Sequence, residues 1–448
     1  MTEHPLALAV NGRERLLADR LIAFEPREPE RTDSVVVVGL GYVGLPTACA
    51  LRSPTAQVTG FDISEDRLRA IKTGEVDLPE LERKALSASL AAGDLQLSCD
   101  PSVLGGADAV IVCVPTPVDT AHEPDLAALR AACETVVSFA RRGQVIILTS
   151  TTFVGTTRQL LVEPLAERGL RVGTDVHVAF SPERIDPGNF DHVQRETPRV
   201  VGGATQRCAE RAAEVVRRMT DSVYLVSSPE VAELTKLYEN IFRAVNLALA
   251  NEIADACAVL DLDPIEVTIA AGTKPYGFLG SFPGPGVGGH CIPCDPYYLL
   301  WQLGRQGLSV PVIEQAMQSI DQRPGRVVQR VVEMLGEAVL DHSGARVLIA
   351  GVSYKAGVRD LRESPALPIL AGLRRLGIDV HYYDPLLPEI TLADGTALTG
   401  EQSPRGRDWD VTVLHTLHPG IDYSWARDCP RVLDATYQFD AVPHRRVL

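Results

Sequence analysis

The chain lacks the sequence features that are typical of several common classes of protein. Its formal net charge is −15, so it lacks the basic excess that general binding to nucleic acid or to an anionic membrane surface requires. No apolar run has the length of a membrane span, and charged residues interrupt the N-terminal segment where a secretory signal would need an apolar core. We therefore expect no nucleic-acid partner and no membrane association.

The cysteines lack the pattern of a disulfide framework or a metal site. There are nine, an odd number, and they are scattered along the chain. Cys291 and Cys294 form a single C-x-x-C, a spacing found in zinc sites and in redox pairs, but no second cysteine or histidine pair at ligand spacing accompanies it. We expect no metal, a reducing compartment (the cytoplasm), and mostly small core cysteines such as Cys113.

What the chain does have is enough length for several α/β domains. With 448 residues it is too long for one hydrophobic core. Between residues 34 and 228 short apolar strands alternate with helical patterns, which predicts a doubly wound parallel sheet. The predicted strands are 35–38, 58–61, 109–114, 145–149, 176–180 and 223–226. A second α/β pattern occupies 341–448, with predicted strands 346–351, 380–384, 411–414 and 432–434.

The segment between these two patterns is expected to be helical. From residue 230 to residue 260 there is no proline or glycine, and apolar residues recur at helical spacing, which predicts one long helix at the start of a central domain over 229–340. Residues 1–33 are interpreted as a tail and linker, with a short amphipathic helix at 13–24. The predicted fold class is therefore α/β, with two Rossmann-like sheets joined by a mostly helical connector.

A glycine motif indicates a dinucleotide site in the first of these domains. The strand 35–38 runs directly into a G-x-G-x-x-G pattern, whose glycines permit a tight turn, close approach of pyrophosphate to the backbone and close packing of helix on strand. A carboxylate that ends the second strand is placed to accept ribose hydroxyls, which favours NAD over NADP. An arginine five residues later is expected to pack over the adenine or to pair with that carboxylate. The candidate NAD contacts here are Gly39, Gly41, Tyr42, Val43, Gly44, Asp62 and Arg67. The alternative is a glycine turn in a purely structural βαβ unit.

Three loops follow predicted strands and should meet at one rim of the first sheet, because ligands bind beyond the carboxyl ends of parallel strands. These loops are Pro115-Thr116-Pro117, Ser150-Thr151-Thr152 and Ser181-Pro182-Glu183-Arg184. Each is a candidate for part of the site.

Cys291 is the candidate nucleophile. It follows a loop with glycines at 284, 286, 288 and 289, which are expected to let the main chain approach a ligand and adopt positive φ. Asp295 follows closely enough to help activate a water. On the predicted long helix, Lys236 and Asn240 are four residues apart and so share a face that can point into a cleft. By spacing alone, two solvated residues on an exposed stripe remain the favoured interpretation of Lys236 and Asn240.

Taken together, these blocks resemble the UDP-glucose/GDP-mannose dehydrogenase family, the NAD-dependent nucleotide-sugar 6-dehydrogenases. The resemblance covers nearly the whole chain after residue 33. Its blocks run in the family's order and comprise residues 39–46, 114–117, 150–152, 181–184, 233–240, 286–296, 354–355 and 362–367.

The resemblance implies a four-electron oxidation of a sugar CH₂OH to a carboxylate with two NAD molecules in succession. Cys291 would form a thiohemiacetal and then a thioester, and Lys236 and Asn240 would hydrogen-bond the oxyanion. Asp295, Glu183 and Thr151 would orient water and move protons. The implied NAD contacts on the rim loops are Val114, Pro115, Thr116, Ser150 and Thr151, and the implied substrate contacts are Glu183, Arg184, Lys236, Asn240, Gly288, Lys355 and Arg362.

Some alternatives stay open at this point. The segments 274–278 and 283–286 are similar to the bacterial branch, many of whose members oxidise UDP-N-acetylhexosamines. UDP-glucose and dTDP-glucose remain candidates. Asp360, Arg362 and Glu363 could equally hold a loop in shape. The other hypotheses are a two-electron dehydrogenase of the hydroxyacid type and a non-enzymatic nucleotide sensor. The resemblance further implies a homodimer or a higher homo-oligomer.

Overall fold

The computed structural model describes residues 20–23, 33–52, 56–76, 80–119, 121–184, 194–338, 344–439 and 445–448. By packing, the chain divides into two compact units. The first takes in the described residues up to Tyr238 together with Tyr297–Gln302, and the second takes in Glu239–Pro296 and the described residues from Leu303 onward. The domain boundaries at 33, 228 and 340 stay a prediction.

The first unit contains a nine-stranded sheet that is mostly parallel. The strands are β1 (Leu21–Ala23), β2 (Asp33–Val38), β3 (Ala56–Phe61), β4 (Leu95–Ser98), β5 (Ala109–Val112), β6 (Val145–Leu148), β7 (His177–Phe180), β8 (Arg199–Gly203) and β9 (Ser222–Val226). Their order is β1-β9-β8-β7-β6-β5-β2-β3-β4. Central strands such as β5 and β6 are buried at every residue, as expected where helices cover both faces.

The helices of the first unit connect these strands. They are α1 (Gly44–Ala50), α2 (Glu65–Thr73), α3 (Glu80–Ala92), α4 (Val103–Gly106), α5 (Ala127–Phe139), α6 (Glu163–Glu167) and α7 (Gln206–Val216), with a π-helical turn at Arg158–Val162 and a 3₁₀ turn at Gln194–Glu196. Ser64 caps α2 by accepting a hydrogen bond from the Arg67 amide, and Gly74 ends that helix with φ of 78°.

The structure adds three strands to the predicted sheet, β1, β4 and β8. Leu21–Ala23 form a strand that pairs antiparallel with β9, where a helix over 13–24 was expected, and residues 13–19 lie outside the described part. Strands β4 and β8 were not predicted, and β8 pairs antiparallel with β7. β8 carries a charged residue and ends in two glycines, which depress strand propensity, so its sequence gives little sign of a buried strand.

The predicted long helix is confirmed as α8 (Pro229–Leu260), whose residues divide between the two units. The remaining helices are α9 (Pro264–Gly272), α10 (Cys291–Arg305), α11 (Pro311–Glu337) and α12 (Ala366–Arg375), with a 3₁₀ turn at Ser424–Asp428. In α10 the segment Tyr297–Gln302 belongs to the first unit.

The second unit holds a five-stranded parallel sheet. Its strands are β10 (Arg346–Ala350), β11 (Asp379–Tyr383), β14 (Val411–Leu414), β15 (Val432–Asp434) and β16 (Arg445–Val447), and a separate hairpin is formed by β12 (Glu389–Thr391) and β13 (Ala397–Thr399). The order of the strands in the sheet is β11-β10-β14-β15-β16. The four strands expected here are confirmed, whereas β16 and the hairpin were not predicted. Valines and isoleucines of β10 and β14 pack with α11 and α12 in one core.

Two further findings concern the described residues alone. None of their helices is both long enough and apolar enough to cross a membrane. In the same part of the chain, no three or more His, Cys, Asp or Glu side chains are grouped so as to hold a metal ion.

Candidate functional site

The glycine turn between β2 and α1 has the shape that a dinucleotide needs. Gly39 has φ of 83°, and a Cβ there would lie 2.9 Å from the Cys113 carbonyl oxygen. A Cβ on Gly44 would lie 1.7 Å from the Gly39 carbonyl oxygen, whereas a Cβ on Gly41 would meet nothing within 4 Å. Packing therefore requires glycine at 39 and 44, and the open space at Gly41 fits the approach of the NAD phosphates. Tyr42 and Val43 lie in the same turn.

Asp62 and Arg67 both brace this turn. Asp62 Oδ2 accepts a hydrogen bond from the Leu40 amide at 2.8 Å, and its Oδ1 accepts one from the Ser64 amide at 2.9 Å. Arg67 Nε donates to the Leu40 carbonyl oxygen at 2.8 Å. Of the two expected roles of Arg67, pairing with Asp62 is replaced by this bond to the glycine turn, and packing over the adenine stays a prediction.

The structure brings two of the predicted rim loops together. Thr116 Oγ1 donates to the Thr151 carbonyl oxygen at 2.7 Å, and Ser150 Oγ donates to the Val114 carbonyl oxygen at 2.8 Å. Pro115 is exposed in the same loop as Val114. Since the two loops follow the neighbouring strands β5 and β6, their contact is what parallel pairing predicts.

Glu183, on the third rim loop, is buried in an ion pair with Arg199 of β8. The backbone amide of Arg184 donates to Glu183 Oε1 at 2.8 Å, and Arg184 Nη1 donates to the Pro198 carbonyl oxygen at 2.8 Å. Arg199 was not predicted as a site residue. A charged residue in a segment without a clear strand pattern normally indicates a surface loop. A carboxylate buried at 7% exposure requires such a partner.

Lys236 is 9% exposed on α8, which excludes the interpretation of a solvated residue. One turn before it, Glu233 is 1% exposed and accepts three hydrogen bonds. They come from the Gly155 amide at 2.6 Å, the Thr157 amide at 2.8 Å and the Thr157 hydroxyl at 2.6 Å. Burial raises the pKa of Glu233. Glu233 therefore fixes the start of α8 on the segment that follows the Thr151 loop.

The same segment is also held by α10 within the first unit. Gln302 Oε1 accepts from the Val154 amide at 3.0 Å, and Gln302 Nε2 donates to the Val154 carbonyl oxygen at 2.8 Å. The Trp301 ring lies 5.5 Å from the Phe153 ring, centroid to centroid. Tyr298, fully buried, donates to the Thr116 carbonyl oxygen at 2.8 Å. None of these residues was predicted to support the site. In the sequence, Tyr298 has the pattern of an ordinary apolar position on a helix.

In the second unit, Cys291 is the first residue of α10 and is exposed. Asp295, one turn further along, is 2% exposed and accepts a hydrogen bond from the side-chain amide of Asn240, which is 9% exposed. The structure thus pairs the predicted oxyanion donor Asn240 with the predicted water-orienting carboxylate. Neither is a solvated residue.

Three of the glycines before Cys291 have a packing role that was not expected from the sequence. A Cβ on Gly288 would lie 2.7 Å from the Glu363 carbonyl oxygen, and one on Gly289 would lie 2.8 Å from the Tyr354 ring. Gly286 meets Pro365 in the same way, at 2.8 Å. The loop therefore packs closely against residues 354–365 of the chain. Of the four glycines at 284, 286, 288 and 289, only Gly286 and Gly289 have the expected positive φ.

Lys355 and Arg362 lie in the loops that follow β10. Arg362 is paired with Asp360, its Nη2 lying 2.7 Å from the carboxylate, and its carbonyl oxygen accepts from the Gly289 amide at 2.9 Å. Arg362 and Asp360 therefore do hold a loop in shape. Lys355 lines a cavity at the carboxyl edge of the second sheet, and the other polar side chains there are Tyr354, His415, Thr416, Thr436 and Gln438.

Models of three successive domains of one family match this chain. They describe the UDP-glucose/GDP-mannose dehydrogenase family, with the NAD binding domain at residues 33–220, the central domain at 230–322 and the UDP binding domain at 348–443. The chain therefore belongs to the UDP-glucose/GDP-mannose dehydrogenase family. It is an NAD-dependent nucleotide-sugar dehydrogenase, an oxidoreductase, and the predicted family and cofactor are confirmed.

Individual relatives agree with this assignment. The chain is 34% identical to a UDP-N-acetyl-D-mannosamine dehydrogenase of Pyrococcus horikoshii, over 86% of this chain and 89% of that protein. It is also 34% identical to a UDP-N-acetyl-D-glucosamine 6-dehydrogenase of Pseudomonas aeruginosa, over 86% of this chain and 90% of that protein. The solved structure of a UDP-D-ManNAc dehydrogenase from Pyrococcus horikoshii matches with a TM-score of 0.84 at 30% identity, over 92% and 98% of the two chains, and confirms the fold class.

Proposed function

We propose that the chain oxidises the C6 hydroxymethyl group of a UDP-linked hexose to a carboxylate, through a covalent adduct on Cys291. The observation that carries this proposal is the exposed thiol at the start of α10, with a buried amide–carboxylate pair one helical turn away. A dehydrogenase that stopped at two electrons would have no use for this arrangement. NAD supplies the hydride acceptor when it is bound, twice in each turnover.

Cys291 acts as the nucleophile. Its position at the first residue of a 15-residue helix favours the thiolate, because the helix dipole places positive charge there. Attack on the aldehyde stage of the sugar gives a thiohemiacetal, and its oxidation gives a thioester that water hydrolyses. The covalent bond keeps the half-oxidised sugar on the protein between the two oxidations.

Lys236 and Asn240 stabilise the oxyanion at the tetrahedral stages. They stand four residues apart on α8 and are both buried, which is the environment where such donors contribute about 3–4 kcal/mol each. An amide nitrogen carries two hydrogens. Asn240 can therefore keep its bond to Asp295 and still donate to the oxyanion.

Asp295, Glu183 and Thr151 orient water and move protons. The bond from Asn240 fixes the Asp295 carboxylate, and the ion pair with Arg199 fixes that of Glu183. A fixed carboxylate can hold a hydrolytic water in one orientation, which suits Asp295 for the hydrolysis of the thioester.

The substrate is a UDP-N-acetylhexosamine. The relatives named above act on UDP-N-acetyl-mannosamine or UDP-N-acetyl-glucosamine, and the chain matches most of their length. Arg184, Lys355 and Arg362 supply cationic groups for the diphosphate and the sugar hydroxyls, and Gly288 supplies main-chain contact. UDP-glucose and dTDP-glucose are the competing substrates.

We further propose that the active form is a homodimer or a higher homo-oligomer. Apolar side chains of α8 are exposed at helical spacing, which leaves a stripe that a second copy would cover. They are Leu234 (43%), Tyr238 (65%), Phe242 (44%), Leu249 (53%) and Ile253 (41%). Location in the cytoplasm stays a prediction.

The test is a panel of UDP-ManNAc, UDP-GlcNAc, UDP-glucose and dTDP-glucose, scored by NADH yield and product mass. We expect two NADH per sugar and a uronic acid product. Cys291→Ser should keep binding of NAD and nucleotide sugar, measured by calorimetry, and lose carboxylate formation. A yield of one NADH per sugar, or full turnover by Cys291→Ser, would refute the thioester route.

A further inference from the structure

The proposed oxidation uses Cys291 and leaves the second cysteine of the C-x-x-C motif without a role. Cys294 is the fourth residue of α10 and is 5% exposed, whereas Cys291, the first residue, is exposed. Residues three apart on a helix are neighbours. An accessible thiol is therefore followed by a shielded thiol within the first helical turn.

The first turn of α10 is suited to closing a bond between these two sulfurs. Cβ atoms three residues apart on a helix lie about 5–6 Å from each other. A disulfide needs about 3.5–4.5 Å, so the turn has to tighten by roughly 1–2 Å. The first amides of a helix have no acceptor within it, and Pro296 has no N–H to offer the Ile292 carbonyl. The Ile292 carbonyl therefore has no i→i+4 helix hydrogen bond that a movement of this residue would break.

Three of the other seven cysteines are poor competitors for an oxidant. Burial raises the pKa of both Cys113 and Cys133 to about 12, and it raises the pKa of Cys429. A thiol that stays protonated reacts slowly with peroxide. Cys99 is exposed, but no cysteine stands near it in the sequence to resolve an oxidised form.

We propose that Cys291 and Cys294 form an oxidation site for hydroperoxides, in which Cys294 is the resolving thiol. The Cys291 thiolate attacks the O–O bond of hydrogen peroxide, which leaves a sulfenic acid on Cys291 and releases hydroxide. The Cys294 thiol then attacks that sulfur, the S–S bond forms and water leaves. The two thiols lose two electrons and two protons, and one peroxide becomes two waters.

The disulfide removes the nucleophile, so peroxide switches the dehydrogenase off until a dithiol reductant restores both thiols. This consequence rests on the proposed role of Cys291, whereas formation of the disulfide does not. Without Cys294, the sulfenic acid would advance to the sulfinic acid, which dithiols do not reduce.

The test compares the wild-type chain with Cys294→Ala and Cys294→Val, of which the second keeps more of the buried volume. Cys257→Ala is the matched control, since it removes a thiol of similar burial, 4% exposed, from the same unit. Each protein is treated with hydrogen peroxide, denatured, alkylated with N-ethylmaleimide, digested with pepsin and analysed by mass spectrometry. NADH production is followed before and after dithiothreitol.

We expect the wild type and Cys257→Ala to lose two alkylatable thiols, to become lighter by two hydrogens at the 291–294 peptide, and to recover activity with dithiothreitol. The Cys294 variants should gain two oxygens on Cys291 and stay inactive. Oxidised wild type without a bond between residues 291 and 294, or equal recovery in the Cys294 variants, overturns the proposal. If the disulfide forms and NADH production is unchanged, the oxidation site stands and the assigned role of Cys291 fails.

Discussion

Replacement of Glu233 by glutamine tests whether the start of α8 sets the position of Lys236. All three partners of Glu233 are hydrogen-bond donors, so a carboxylate satisfies each of them. In Glu233→Gln the amide oxygen can still face Thr157, but the amide nitrogen then faces the Gly155 N–H. An unsatisfied buried donor costs about 1–3 kcal/mol, and we expect the free energy of unfolding to fall by that amount.

The effect on catalysis should be larger than the effect on cofactor binding. A displacement of about 1 Å at a positioning group can lower kcat by about 100-fold. We expect Glu233→Gln to lower kcat by about 10- to 100-fold and to leave the KM for NAD within about twofold of the wild-type value. Glu230→Gln is the matched control on the same helix, because the Glu230 carboxylate makes an exposed ion pair with Arg158, at 2.7 Å, that contributes about 0–1 kcal/mol.

A double-mutant cycle separates positioning from general destabilisation. If Glu233 acts through Lys236, then Glu233→Gln combined with Lys236→Met should have the same kcat as Lys236→Met alone. Steady-state kinetics of the four proteins and urea unfolding of each supply the data. If the losses in kcat of the two single variants multiply in the double variant, Glu233 does not act through Lys236. If Lys236→Met has the kcat of the wild type, Lys236 takes no part in the chemistry.

Two other expectations follow from single sites. Gly41→Ala should leave Tm unchanged and weaken NAD binding by at least about tenfold, since the new methyl group meets no protein atom but fills the space that the phosphates need. Gly44→Ala should instead lower Tm. If Gly41→Ala binds NAD with wild-type affinity, measured by calorimetry, the assignment of the glycine turn as the NAD site is contradicted. Burial lowers the pKa of His415 from 6.5 to about 4, although the Asp384 carboxylate opposes this. Below pH 6.5 the unfolded chain binds a proton that the folded chain refuses until about pH 4. The free energy of unfolding should therefore fall by up to about 3 kcal/mol between pH 6.5 and 4, with no effect above pH 6.5. Urea unfolding at several pH values should show a shallower fall for His415→Gln, and an unchanged fall would exclude this origin.

The parts of the fold that could be predicted are those with a strong local signal. Buried parallel strands such as β2 and β5 read as continuous β-branched runs, and α8 has an uninterrupted helical period. β8 carries no such signal, because its burial follows from the pairing of Glu183 with Arg199 and from two glycines that fit against neighbouring backbone. Tertiary contacts, not local propensity, make that segment a strand.

The rim of the site was predictable and its supports were not. Parallel strands bring their carboxyl ends to one edge, so the meeting of the Thr116 and Thr151 loops follows from topology. An acidic residue in the first turns of a helix, such as Glu233, is normally solvated and is stabilised by the helix dipole. Its burial depends on two amides, those of Gly155 and Thr157, that lie 78 and 76 residues earlier in the chain. No pattern within the helix can report such partners.

The glycines before Cys291 show how a correct motif can carry an incomplete reason. A run of glycines predicts close approach of the backbone to something, and the sequence alone suggests a ligand. In the folded second unit, the space at Gly288 and Gly289 is taken by Tyr354 and by the carbonyl of Glu363. A methyl group at Gly288 would collide with that carbonyl, and main-chain atoms cannot move aside as a flexible side chain can. The C-terminal segment therefore fixes where α10 begins, and hence where its first residue, the proposed nucleophile, is held.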